Sequence, residues 1–145
     1  MTDSAPKSNL LRPLAWLAAL AGAFTCILVP ALFAQPGGRD FPLPGLYFLE
    51  IALLGVFVML FVARQSQLGA RWHALPWLAA GIILAFVILG AFSFGFYLIP
   101  ALVAFVVVGI LADRQAGGAT AQHVGLLFVA AVIQAAVMLL IILWR

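Results

Sequence analysis

Between Ala74 and Ala112 the chain runs for 39 residues without a charged side chain. The hydrocarbon core of a bilayer is about 30 Å thick and takes about 20 apolar helical residues to cross. One helix over the whole run would be about 58 Å long at about 1.5 Å per residue, nearly twice that thickness. The run therefore has to turn back on itself. GAFSFGFYLIP, from Gly90 to Pro100, is where its composition permits a turn. Gly90 and Gly95 flank Ser93, and glycine accepts the backbone angles of a tight reversal. Pro100 suits the first turn of a following helix, where a missing N–H costs least, and Pro76 is placed in the same way one helix earlier. Cut at Ser93, the run yields two stretches of about 18 residues, each long enough to span. A re-entrant hairpin is the alternative to two full spans.

Three other stretches have the length and apolarity of a span: Leu14–Phe33, Gly45–Ala63 and Val124–Trp144. The predicted spans are therefore 14–33, 45–63, 74–92, 96–112 and 124–144. Residues 1–13 precede them as a cytoplasmic segment, and 14–145 form a single transmembrane domain. The chain is 67% hydrophobic and 8% charged, against about 45–50% and about 25% for a soluble domain. A soluble fold of 145 residues has too much surface to hide that apolar content. The expected fold is an all-α integral membrane protein, a five-helix transmembrane bundle.

Charge orients it. Cytoplasmic loops are enriched in Lys and Arg. With five spans and the N-terminus inside, Lys7, Arg12, Arg64, Arg71 and Arg114 lie inside, and Arg39 and Arg145 outside. A four-span count would move Arg114 across and weaken the bias to four against three. The C-terminus is then expected outside, in a bacterial-type plasma (inner) membrane. Trp and Tyr favour the two interfaces, which places Trp16, Trp72 and Trp77 at the inner boundary and Tyr47, Tyr97 and Trp144 at the outer one. The first span has the charged start of a signal peptide, Lys7 and Arg12. Its apolar run is longer than such a peptide uses and lacks a small-residue cleavage site, so a retained anchor is expected.

The net charge of +3 is scattered through loops and ends, with no basic run to suggest nucleic acid. Cys26 is the only cysteine, which excludes an intramolecular disulfide. The connecting pieces are too short for a soluble catalytic module, and AQPGGRD and RQAGGAT are flexible turns rather than phosphate-cradling loops. The stretch GAFSFGFYLIPALVAFVVVGILADRQ resembles small bacterial multi-span proteins in which Gly, Ser, Gly and then Pro form a tip between two apolar helices. The matching positions are Gly90, Ser93, Gly95 and Pro100. The resemblance implies a fold element and no activity.

Polar residues inside the spans are few. Glu50 interrupts the second, and an ionisable group within a span raises a functional hypothesis. Its helical neighbours are apolar except Tyr47, and no span contains Lys or Arg to pair with it. Low dielectric disfavours the charged carboxylate. Glu50 lies about 7–8 Å below Gly45 by helical rise, within reach of Arg39 or Arg145. It is either a lock between two helices or a proton- or cation-binding group. Gln134 is central in the fifth span, with Ala130 and Ala131 on the same face, a pattern suited to an interhelical hydrogen bond. Glu50 and Gln134 together are the candidate intramembrane polar site.

Ala15, Ala18, Gly22, Thr25 and Cys26 make a small-residue strip on the first span. This strip and the Ala130–Ala131 face are expected to pack against a protein partner or a second copy. Cys26 is expected to pack, since no cation lies near it to generate a reactive thiolate. His73, His123 and the Asp113–Arg114 pair sit at span edges, where solvated side chains are expected. No paired carboxylates, Ser–His–Asp set, H-E-x-x-H or C-x-x-C is present, so no catalytic residue, cofactor or metal is assigned. The functional expectation is an accessory or structural subunit, or an oligomer-forming component, of a membrane complex. The alternative is a small transporter or channel using Glu50 and Gln134 in a polar path.

Overall fold

The computed structural model describes residues 8–33, 43–117 and 120–144. Within them the chain is helical, with no strand. The helices are α1 (Ser8–Phe33), α2 (Leu43–Arg64), α3 (Leu75–Leu89), α4 (Ile99–Ala116) and α5 (Thr120–Leu143). Short 3-10 turns at Ala70–Ala74 and Gly95–Leu98 lead into α3 and α4. All five units are long and apolar enough to cross a membrane. Trp72–Leu89 and Gly95–Gln115 supply 18 and 21 residues, so each arm of the uncharged run has the length of a full crossing.

The reversal falls where the length arithmetic puts it. α3 stops at Leu89, and residues 90–94 turn. Gly95 N–H donates to the Gly90 carbonyl at 2.7 Å, and the Ser93 hydroxyl donates to the same oxygen at 3.2 Å. The reason for glycine differs from the expected one. Gly90 has an ordinary φ of −94°. What matters is backbone approach: a Cβ on Gly95 would sit 2.5 Å from the Gly90 carbonyl carbon. Pro76 and Pro100 both occupy the first turn of their helices, as expected.

The first four helices close a ring in which α1 touches α2 and α4, and α3 touches α4 and α2. α5 lies outside it, packed on α3. The centre is filled by Trp77, Phe86, Phe105, Ile51, Ile83 and Val58, while Leu, Ile, Val and Phe side chains cover the exterior. In a bilayer, lipid tails would be as apolar as those side chains, and helix association would rest on close van der Waals packing at small residues. Gly22 faces Phe105 of α4, where a Cβ would come within 2.5 Å of the ring. Gly55 of α2 meets Ala23 and Cys26 of α1. Gly81 of α3 meets the Leu127 carbonyl and Ala130 of α5. Gly22 and Ala130 thus meet the chain's own helices, Ala15 and Ala131 are buried, and Ala18 is half-buried.

One end of the bundle carries the hairpin tip. The other carries Arg12, Arg64, Arg71 and Arg114 and is called the basic end below. Aromatic residues gather at the hairpin end, where Phe33 packs on Tyr97 and Phe94, and Phe48 on Phe94.

Candidate functional site

The outer helix α5 buries a single seam. His123, Leu127, Ala131, Gln134 and Met138 follow one another at steps of four, four, three and four residues, which keeps them on one helical face. Leu127, Ala131 and Met138 are buried, and His123 and Gln134 half-buried. The seam's two polar members each bond a carboxylate on the ring of four helices. They are about 16 Å apart along the axis.

At the hairpin end the Gln134 amide donates to Glu50 Oε2 at 3.0 Å. The two residues that the sequence singles out separately are therefore partners, joining α5 to α2 across 84 positions. Glu50 is half-buried. A neutral amide donor satisfies the carboxyl group without bringing a second charge into the span. Tyr47, the expected helical neighbour of Glu50, does not share in this. Its ring packs edge-on against Phe86, and its buried hydroxyl has no hydrogen-bond partner among the described residues. Arg39 and Arg145, the other expected partners of Glu50, lie outside the described residues.

At the basic end the carboxylate is Asp113, and here expectation is corrected. Asp113 is 1% exposed rather than a solvated helix end. It receives the Trp77 indole N–H at 3.2 Å on Oδ2, and His123 Nδ1 lies 2.8 Å from Oδ1. Trp77 is likewise 2% exposed rather than interfacial. His73 is also buried, its Nδ1 3.3 Å from the Ala112 carbonyl; a carbonyl only accepts, so that nitrogen carries the proton. Physically, a carboxylate buried this deeply needs donors, and Trp77 and His123 supply them from α3 and α5. Room for the indole comes from Gly109, where a Cβ would fall 2.7 Å from the Trp77 ring. One signal in the sequence points to this cluster: Ala101, Phe105, Gly109 and Asp113 follow at steps of four, so Asp113 continues the packed stripe of α4. Arg114, one residue on, is exposed as expected.

Beside the Asp113 cluster, a cavity of about 340 Å³ opens at the basic end. Arg12, Val62, Gln65, Ser66, His73 and Gln115 line it. Gln65 donates to Gln115 across its mouth at 3.0 Å. Among the described residues, no group of three or more His, Cys, Asp or Glu has the arrangement of a metal site. Cys26 is wholly buried against Gly55. No protein-family profile, curated protein or solved structure matches the chain. The five apolar helices are compatible with a multi-pass membrane protein.

Proposed function

We propose that this chain is a multi-pass protein of a bacterial-type plasma membrane, N-terminus inside and C-terminus outside, that serves as a non-catalytic structural or accessory subunit of a membrane assembly. The observation that carries this reading is that both carboxyl groups find their hydrogen-bond partners within the chain. Asp113 is capped by Trp77 and His123, and Glu50 by Gln134. Buried polar groups that satisfy one another rigidify a bundle and fix helix register. Substrate chemistry needs a free group in a cleft, and neither carboxylate lines a described cavity. Because Gly22 and Ala130 are engaged by the chain's own helices, a partner meets the apolar outer surfaces of α1, α2 and α5. Purification in mild detergent from the native host should recover the chain in a larger complex or as an oligomer. Recovery only as a lone monomer rules the subunit role out. A reporter fused after Arg145 should signal from the outer side; a cytoplasmic signal defeats the orientation.

A second reading, a small transporter or channel, draws on one observation. Glu50 is half-buried and covered by α5, the helix with the least enclosure. A shift of α5 would uncover an intramembrane carboxyl group. Liposomes holding the protein should then pass protons, cations or small solutes faster than liposomes holding Glu50→Gln. Equal rates eliminate this reading.

A further inference from the structure

The cavity at the basic end takes no part in either carboxylate clamp, and its lining is one-sided. Arg12 brings a permanent positive charge. Gln65, Ser66 and Gln115 bring amide and hydroxyl donors; His73 also lines the chamber, but its Nδ1–H is spent on the Ala112 carbonyl and is not among them. Among the described residues, no carboxylate lines it. Asp113, the nearest in sequence, is turned away into its own cluster with Trp77 and His123. The C-terminal ends of α2 and α4 bring negative dipole ends to this end of the bundle. Arg64 and Arg114 in their last turns offset these. Such a donor set suits a phosphate group, which accepts several charge-assisted hydrogen bonds at once.

A second, independent feature says what the phosphate is attached to. An open apolar groove of about 430 Å³ runs between α1 and α2. Trp16, Leu20 and Phe24 form its α1 wall, and Val56, Leu60 and Ala63 its α2 wall. Both walls lead to the cavity. Arg12 lies one helical turn before Trp16, and Ser66 follows Ala63 by three residues. A polar, cationic chamber therefore sits at the mouth of a greasy furrow, at the level where five apolar spans end.

We infer that the basic-end cavity binds the phosphate of an anionic phospholipid, with Arg12 as the principal anchor and one acyl chain lying in the α1–α2 groove. An anionic lipid is favoured over a zwitterionic one because the chamber presents the Arg12 cation and, among the described residues, no carboxylate to accept from a headgroup amine. Lipid is favoured over free phosphate because the two walls of the apolar groove end within one helical turn of Arg12 and Ser66 in the chamber.

The test uses the full chain in mild detergent, titrated separately with phosphatidylglycerol, phosphatidylcholine, glycerophosphate and inorganic phosphate. Bound adducts are counted by native mass spectrometry. Phosphatidylglycerol should be retained about tenfold more tightly than phosphatidylcholine, and Arg12→Gln should abolish that preference. The Arg12 side chain is exposed, so the variant should keep the wild-type unfolding midpoint. Arg114→Gln removes an equal charge from the same end without touching the cavity lining and should leave the preference intact. Equal retention of the two lipids overturns the site. So does equal loss in Arg12→Gln and Arg114→Gln, which would mean diffuse surface attraction. Binding of glycerophosphate or inorganic phosphate as tight as that of the lipid overturns the lipid assignment and leaves a soluble-anion pocket.

Discussion

The two carboxylates that tie α5 to the bundle solve one problem in different ways. Asp113 is sealed, with a donor on each oxygen from two different helices. Glu50 is half-open, with a single amide donor. The difference follows from position. Asp113 continues a packed stripe of α4, inside the ring, where an unpaired oxygen would have no water to turn to. Glu50 stands where α2 meets the outrigger helix, and only one side of it is covered. Depth inside the ring, rather than the presence of a carboxyl group, separates a structural keystone from a latch that can be opened.

That contrast makes the Asp113 cluster the place where a single change does most harm. Asp113→Ala strands the Trp77 indole N–H and the His123 ring together and should cost about 3 kcal/mol. Thermal unfolding in detergent should show the drop, with Asp113→Asn between the variant and wild type. An unchanged midpoint would mean that the cluster does not hold α3, α4 and α5. Next comes Gly81→Val, which drives a side chain into the Leu127 carbonyl and Ala130. It should cost about 2 kcal/mol by overpacking and loosen both clamps at once. Hydrogen exchange along α5 should rise over its whole length; a rise confined to one end would show that the clamps act independently.

Smaller effects test the half-open latch. Gln134→Leu removes the only described donor to Glu50 and should cost about 1 kcal/mol, the scale of interhelical hydrogen bonds in membranes. Protease susceptibility near Trp144 should increase without a comparable change near Thr120. Glu50→Gln keeps a hydrogen-bonding partner for Gln134 and should change the unfolding free energy by less than about 0.5 kcal/mol. A larger loss would indicate that the latch depends on charge. Ser93→Ala, at the exposed hairpin tip, should fall within about 0.5 kcal/mol, because the Gly95 N–H still reaches the Gly90 carbonyl.

Length and composition are strong signals because the bilayer fixes a distance. Ala74–Ala112 had to turn, and it turns between Gly90 and Phe94, one residue either side of which the spans resume their expected limits to within a helical turn. The candidate pair was half legible. Glu50 and Gln134 stand out as polar interruptions, yet nothing in their local sequence says that they meet, since their pairing depends on where α5 docks. Asp113, Trp77 and His73 read as interfacial in the sequence, yet are buried, for a related reason. A span's end and a buried cap have the same local composition, and only the neighbouring helices decide between them. The cavity lined by Arg12, Gln65, Ser66, His73 and Gln115 draws on four separate stretches, and no window of the sequence contains it.

By itself, then, the sequence determined the number of apolar helices, the place of the hairpin and which residues are too polar to face lipid. Those properties depend on hydrophobic length and on the geometry of one helix at a time. The tertiary structure alone decided which polar groups become partners, that α5 lies outside a ring of four, and that Gly22 and Ala130 pack against the chain's own helices. These are relations between helices. They are set by close packing at Gly22, Gly55, Gly81 and Gly109, where backbone or ring approaches within contact of a missing side chain.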